Sequence, residues 1–496
     1  MTSLARATAA LTAITCLLSP PAAAQDRHDG RFDALVALTE AKMREFHVPG
    51  VAIGIIDNGL VTTRGLGVTN VEDALPVTAH TVFPIASISK TFAATAMMRL
   101  VEQGKVDLQA PVRQYLPDFR VRDEAVSRDV TVWNLLTHTS GWEGQVSGPE
   151  RGEDTLRHFV TTVSDLMQVA PFDAARDDAQ GKPHAAVWSY NNAGFSVAGR
   201  VIETVTGTSI NRAIRDLVFT PLGLSHAGTT AGDFIVNRFA AGHANRGDAP
   251  PALQRPFAPS TSVTAGGVGL CVTDLLTYAG FHLGDGRSAS GERLLTRASL
   301  EQMRTTQLRK QGTDDDIGLA WHLRTVGPLR VAAHGGTLAG HVLLLAIVPE
   351  RNFAIAILTN SQNGWRLIQD VERAALVSYH GATLAKNQGI AHRGLVETLP
   401  TAEPLTVQPN PGPYVGRYLR PANAVVVRAE GAKLFVQERP NTGEPRPEMP
   451  IAFFGPDRAV VIDGADRGQS IEFVRAADHT VTWIRVVGRV AVRANQ

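Results

Sequence analysis

Ser87 and Lys90 stand three residues apart in Pro84-Ile85-Ala86-Ser87-Ile88-Ser89-Lys90, the one Ser-x-x-Lys in the chain. Residues at this spacing share a helix face one turn apart, so the amine projects beside the hydroxyl. A hydroxyl is a weak nucleophile until a base takes its proton. A lysine serves as that base when burial or nearby positive charge lowers its pKa. The N-terminus of the same helix offers backbone N–H groups to a developing oxyanion. Alone, the pair also fits a helix N-cap serine followed by a surface lysine.

Two further clusters bear on that chemistry. Tyr190 and Asn192 lie in Trp188-Ser189-Tyr190-Asn191-Asn192, directly before an apolar helix pattern. A phenol near a lysine ammonium can act as a phenolate base, because the positive charge favours the deprotonated form. Asn192 both donates and accepts, so it can hold a substrate amide and bridge to Lys90. An asparagine-rich helix cap accounts for the same residues. His334-Gly335-Gly336-Thr337 follows a strand expected to end at Ala333. The glycines let a substrate lie against a strand edge, and the Thr337 N–H can join that of Ser87 as an oxyanion pair. A tight turn with a satisfied His334 is the structural alternative.

The elements that must position these residues follow from periodicity. Residues 31–46 carry Phe32, Leu35, Leu38, Met43 and Phe46 at helical spacing, and 50–57 and 61–67 read as strands joined at Asn58-Gly59, a hairpin turn signal. Phe92, Ala96, Met97, Leu100 and Val101 define a helix from Ser87 that stops at Gly104. A helical and loop region runs to about residue 310. Strands are expected at 328–333, 340–348 and 353–359, and a helix at 364–378. The fold class is therefore α/β (α+β): an antiparallel sheet assembled from both ends of the segment, flanked by helices, with an all-helical subdomain beside it. The hydrolase segment is set at 25–395.

Past residue 395 the composition changes. Pro400, Pro404, Pro409, Pro411 and Pro413 mark a semi-rigid linker over 396–413. Alternating apolar and polar residues at 423–428, 433–437, 459–462, 471–474 and 481–487 then predict a small all-β barrel or sandwich over 414–496.

The N-terminus reads differently again. Arg6, the apolar run 7–18, Pro20-Pro21 and Ala22-Ala23-Ala24 form the pattern of a secretory signal peptide spanning 1–24. The run is too short to span a bilayer. The expected location is periplasmic or secreted, with no stable membrane anchor after cleavage. Of 48 Lys and Arg, removal of Arg6 leaves 47, equal to the 47 Asp and Glu. A neutral chain without a dense basic run has no electrostatic footprint for nucleic acid. Cys271 alone remains after cleavage, so no internal disulfide forms, and it reads as a small buried apolar residue. His138, His334 and His341 lack metal-ligand spacing. Neither a metal nor a cofactor is expected.

The order Ser-x-x-Lys, Tyr-x-Asn, His-Gly-Gly resembles the β-lactamase-related serine hydrolases: class C β-lactamases, D-Ala-D-Ala carboxypeptidases, D-aminopeptidases and family VIII esterases. The phrases VPGVAIGIID, TVFPIASISKTFAATAMMRLVEQGKVDLQAPVRQYLPDF, VTVWNLLTHTSGW, FTPLGL and TAGGVGLCVTDLLTYA match as well, over about residues 31–380. The resemblance implies an active site between an α/β and an all-helical domain. It makes Ser87 the nucleophile, Lys90 its activating partner, Tyr190 general base and later acid, and Asn192 a substrate and lysine contact. His334 stands where β-lactamases carry a lysine. The 414–496 segment looks like the lipocalin-like domains appended to some members. His138-Thr139-Ser140-Gly141 matches a phrase that is structural in these relatives, so His138 reads as a satisfied loop residue.

The expected activity is an exported serine hydrolase acting through a covalent acyl-enzyme on an amide of a D-residue peptide, carboxypeptidase- or aminopeptidase-like. Short-chain carboxylester hydrolysis is the alternative. A weak β-lactamase, or a penicillin-binding sensor that acylates without turnover, is the third. A histidine in place of a constant cation argues against efficient β-lactam hydrolysis. The chain has no Gly-x-Ser-x-Gly elbow and no His-Glu-x-x-His.

Overall fold

A computed structural model describes residues 30–142, 144, 185–244, 250–254, 263–310, 315–381, 404–421, 423–464 and 466–494. The leader at 1–24 and residues 396–403 of the proline-rich segment lie outside the described residues.

Helix α1 (Gly30–Glu45) leads into the hairpin β1 (Gly50–Asp57) and β2 (Leu60–Gly67). Asn58 and Gly59 turn the hairpin with φ of 50° and 87°, the left-handed pair a two-residue hairpin needs. Helix α2 (Ser89–Glu102) follows a short 3₁₀ turn, Ala86–Ile88. After it come α3 (Asn192–Thr206), α4 (Val272–Leu283), strands β3 (His322–Val326), β4 (Leu329–Leu338), β5 (His341–Val348) and β6 (Phe353–Thr359), and α5 (Gly364–His380).

One sheet runs in the order β2-β1-β6-β5-β4-β3, with three short strands extending it past β3. It is antiparallel throughout this order. Both ends of the hydrolase segment thus supply it, as the sequence predicts. Its central strands are apolar without alternation because both faces are covered. Val51, Ile53 and Ile55 of β1 pack with Leu367, Ile368 and Val371 of α5. Ala52 and Ile56 face the other way, toward the layer holding α2, α3 and α4. Gly54 is required by close approach, since a Cβ there would stand 2.6 Å from Leu276 Cδ1 of α4.

Two local expectations are corrected. The strand set to end at Ala333 continues to Leu338, so His334-Gly335-Gly336-Thr337 lies within β4. Pairing with Leu345, Leu344, Leu343 and Val342 of β5 holds the glycines extended against their poor strand propensity. Helix α2 is buried almost all round, from Ser89 to Met98 and again at Leu100. It forms the spine between the sheet and the helical layer.

The C-terminal strands close an eight-stranded antiparallel barrel: β7 (Gly416–Leu419), β8 (Asn423–Glu430), β9 (Lys433–Pro440), β10 (Met449–Gly455), β11 (Arg458–Val461), β12 (Ser470–Arg475), β13 (Val481–Val486) and β14 (Arg489–Arg493). Tyr418, Val425, Val436, Phe453, Phe473 and Ile484 fill its interior. The described part of the proline-rich segment is tied to the barrel: Leu405 N–H donates to the Phe453 carbonyl at 2.7 Å and Phe453 N–H to Gln408 Oε1 at 2.7 Å. Among the described residues no helix is long and apolar enough to cross a membrane.

Candidate active site

Ser87 sits in the 3₁₀ turn ahead of α2, partly exposed. The turn begins with strained backbone: Ala86 has φ of 48°, a region non-glycine residues rarely occupy. Neighbouring segments fix it. Ile85 N–H donates to the Val268 carbonyl at 2.8 Å, and Val268 N–H donates to Ser89 Oγ at 3.0 Å. Gly336 of β4 packs on the same turn, for a Cβ there would stand 2.3 Å from the Ile85 carbonyl oxygen.

Lys90 lies one turn into α2 with no solvent exposure. Its Nζ donates to Ser87 Oγ at 3.1 Å and to the Ala265 carbonyl at 2.6 Å. Ala265 belongs to the wide π turn Val263–Gly267, a form of helix often found at working sites. Burial, and then the positive charge of Arg489, hold the Lys90 amine well below the ordinary lysine range.

Tyr190 precedes α3, whose N-cap is Asn191. The Ser87 hydroxyl lies near enough to the Tyr190 phenol to act on its pKa, and Lys90 Nζ lies 4.9 Å from the centre of its ring. The hydroxyl, amine and phenol from two distant stretches therefore meet. Their protonation differs from the expectation of an ammonium sustaining a phenolate. Burial pushes the phenol up to about 12, against the lowering effects of Ser87 and Arg489. Both partners are buried, so each favours its neutral form.

Asn192 is half-buried, and its Oδ1 has no hydrogen-bond partner among the described residues. The expected bridge from Asn192 to Lys90 is not formed: Lys90 Nζ bonds Ser87 and Ala265, while Asn192 Oδ1 has no partner among the described residues. His334 is 1% exposed. Its Nδ1 is 2.6 Å from the Gly335 carbonyl oxygen and its ring centre 6.4 Å from that of Tyr190. Burial, with Lys90 adding repulsion, lowers it to about 3, so it is a neutral ring beneath the phenol. Gly335 and Gly336 are buried, and Thr337 is exposed beyond them.

His138 does more than fill a loop. It ends the helix Val132–Thr137 at φ of 60°, its Nδ1 accepts the Asn191 N–H at 2.9 Å, and its ring centre is 4.5 Å from that of Tyr190. It is a positioning residue for the Tyr190–Asn192 turn.

The residues that sequence reasoning missed come from the barrel. The tip between β13 and β14 docks on the run 187–190, which precedes α3. Tyr190 N–H donates to the Gly488 carbonyl at 2.8 Å, Arg485 Nε to the Trp188 carbonyl at 3.0 Å, and Val490 N–H to Ser189 Oγ at 3.3 Å. Val487 packs with Trp188 and Tyr190. Arg489 is half-buried, its guanidinium 5.2 Å from the centre of the Tyr190 ring. No local pattern in the β14 sequence marks it, since an outward arginine on a barrel strand is ordinary.

Comparison with known proteins gives a consistent picture. The Beta-lactamase family model matches residues 35–378. Penicillin-binding protein 4 of Amycolatopsis lactamdurans is 31% identical over 401 residues, spanning 79% of this chain and 97% of the relative. Among solved structures, that of SurE superposes with a TM-score of 0.71 and 25% identity, over 94% of this chain and 99% of SurE. A class C beta lactamase from Rhodobacter sphaeroides superposes with a TM-score of 0.55 over 70% of this chain and 99% of its own, and at 21% identity the likeness is one of fold.

Proposed function

The chain belongs to the Beta-lactamase family of serine hydrolases, and from that premise we propose that it cleaves an amide bond in a small peptide with a free carboxylate, through an acyl-enzyme on Ser87. The observation that carries the reading is the 3.1 Å contact between Ser87 Oγ and the buried Lys90 Nζ. An amine with a depressed pKa frees its lone pair at lower pH than an ordinary lysine and can take the hydroxyl proton.

In the proposed sequence Ser87 Oγ attacks the carbonyl carbon while its proton passes to Lys90 Nζ. The carbonyl π electrons move to oxygen, where the N–H groups of Ser87 and Thr337 are the proposed donors. Collapse expels the amine, which takes the proton back from Lys90 through the Tyr190 phenol. A neutral phenol accepts one proton as it gives another, so it suits a relay. Water then adds to the Ser87 ester, yields its proton to the same relay, and leaves the free acid and the restored hydroxyl.

Substrate class rests on polarity around this triad. Asn192 Oδ1 suits a substrate N–H. His334 is neutral and supplies no charge for a carboxylate, whereas the Arg489 guanidinium, beside Tyr190, does. The relative from Amycolatopsis lactamdurans is named for binding penicillin, a molecule with both an amide and a carboxylate, and the proposal carries that pairing here. A D-configured residue at the scissile bond is the form suggested by the sequence resemblance. Action outside the cytoplasm is proposed from the leader at 1–24, and N-terminal sequencing of exported protein, expected to begin at Gln25, tests it.

The deciding assay compares a D-alanyl-D-alanine peptide, its C-terminal amide, a D-alanyl anilide and p-nitrophenyl butyrate. The free-carboxylate peptide is expected to turn over best, with kcat/KM about tenfold or more above its amide. Faster turnover of the butyrate than of any peptide would favour the carboxylesterase reading, and a burst of acylation without turnover the sensor reading. Absence of both turnover and labelling of Ser87 by a fluorescent penicillin would remove the proposal.

A further inference from the structure

We propose that His80, His226 and Cys271 form a binding site for a divalent cation of borderline softness, such as Zn²⁺, independent of the hydrolytic reading. The three residues come from separate segments: the loop entering the short strand Phe83–Pro84, the turn after the short helix Thr220–Leu222, and the N-cap of α4. One ligand atom from each lies within 4.8 Å of the other two. The two imidazoles stack with centroids 5.1 Å apart and planes at 25°. His80 is exposed, His226 half-buried and Cys271 buried beneath them.

The donor chemistry selects the ion. Two imidazole nitrogens and a thiolate suit Zn²⁺, and hard cations such as Ca²⁺ and Mg²⁺ take oxygen sets instead. Zinc–donor bonds of about 2.0–2.3 Å at tetrahedral angles put the donors roughly 3.3–3.6 Å apart. From their present spacing, within 4.8 Å, the donors must move inward by roughly an ångström to close the set. Three protein donors leave the fourth position to water.

The site is braced as well as convergent. Thr273, in the first turn of α4, donates to the Ala79 carbonyl from its N–H at 3.5 Å and its Oγ1 at 3.2 Å, fixing the backbone beside His80. His226 N–H donates to Asp274 Oδ2 at 2.7 Å, and Asp274 N–H donates to Cys271 Sγ at 3.5 Å. The helix that presents the thiol therefore holds both histidine loops. The Asp274 carboxylate, 3.8 Å from the His226 ring, places negative charge beside the ligands. Ser225 Oγ lies 3.0 Å from His226 Nδ1 and is the other polar group at that ring.

Binding converts Cys271–SH and M²⁺ to Cys271–S–M⁺, releasing one proton to solvent, while both histidines bind as neutral rings. Residues Gly269–Leu270, just ahead of the thiol, pair with Phe83–Pro84, which leads to Ser87. A bound ion would clamp three segments at the outer end of that pairing.

The test uses the purified full chain after chelator treatment, titrated with Co²⁺ and read by absorption. The expected result is one Co²⁺ per chain with visible d–d bands and a near-ultraviolet thiolate-to-cobalt charge-transfer band, displaced by Zn²⁺. Cys271→Ser is expected to abolish the charge-transfer band, and His80→Ala to weaken binding about tenfold or more. Zn²⁺ is expected to raise the Tm of the wild type but not of Cys271→Ser. No saturable Co²⁺ binding, or binding without the charge-transfer band, would overturn the site. If Cys271→Ser does not fold, unchanged Zn²⁺ affinity in His80→Ala, whose ring is exposed, overturns it equally.

Discussion

Tyr190 takes its backbone partner from Gly488: its N–H donates to the Gly488 carbonyl at 2.8 Å. A residue beside the proposed nucleophile Ser87 is thus held by a hairpin tip from the far end of the chain. That tip is strained, with Val487 at φ of 51° and Gly488 at 69°. A β-branched residue in the left-handed region costs roughly 1–3 kcal/mol, which docking against Trp188 and Tyr190 offsets. The barrel packs directly on the candidate active site, and the place of Arg489 follows from where the tip sits.

Arg489→Met should change both binding and pH dependence. The guanidinium lowers the Lys90 pKa as a like charge. Its removal raises that pKa, so the acid limb of the kcat/KM profile moves to higher pH. Loss of a charged hydrogen-bonding partner should also raise KM for a free-carboxylate peptide by about tenfold or more. The C-terminal amide of the same peptide should be affected less. Equal losses on both substrates, with the acid limb unmoved, would mean that Arg489 only supports the hairpin.

Ser87→Ala should drop turnover by several orders of magnitude, and Lys90→Ala by a comparable factor, because the two act as one unit. The double variant should be little worse than either single one. Multiplicative losses in the double variant would show that the 3.1 Å pair does not work together.

The difference between what local sequence determines and what tertiary packing decides is visible residue by residue. Ser87, Lys90 and Tyr190 were legible because a three-residue helical spacing and a capped helix start are local facts. Strands β1, β5 and β6 were legible because a sheet covered on both faces leaves an unbroken apolar run. The His334–Leu338 part of β4 was not, since glycines weaken strand propensity and only pairing with β5 restores it. Strand β7 and strands β10 and β14 of the barrel were missed for want of clean alternation. The phenolate expected at Tyr190 was misjudged because burial, which pushes the phenol up to about 12, is a tertiary quantity. Arg489 was invisible for the same reason: its role depends on docking between domains.

Gly336→Ala tests how tightly β4 bears on the nucleophile turn. The added Cβ would stand 2.3 Å from the Ile85 carbonyl oxygen, a backbone atom that cannot rotate aside. The strand or the turn must shift, at an expected cost of about 1–3 kcal/mol. Because Ile85 is two residues before Ser87, acylation by a fluorescent penicillin should slow even well below the Tm. Normal acylation with lowered Tm would confine the glycine's role to packing.

Buried histidines make stability fall in mild acid. An unfolded histidine protonates near pH 6.5, whereas burial lowers His334 to about 3 and His341 to about 4, and places His138, His282 and His322 well below the ordinary value. A group with a depressed folded pKa is protonated first in the unfolded chain, so stability present above pH 6.5 is lost as pH falls below it. The slope is about 1.4 kcal/mol per pH unit for each histidine that stays neutral, flattening near 4 for His341 and near 3 for His334. Glu372 and Asp274 oppose the trend, because burial raises both carboxyls, but they are two groups against five. Urea midpoints measured at pH 7.5, 6 and 5 should therefore decrease in that order. His341 makes the sharpest check, with Nε2 at 3.0 Å from the Ala240 carbonyl and Nδ1 at 3.3 Å from that of Ala339. His341→Gln should lower the midpoint at pH 7.5 and reduce the decline toward pH 5. A decline as steep as that of the wild type would mean that His341 takes up its proton in the folded protein.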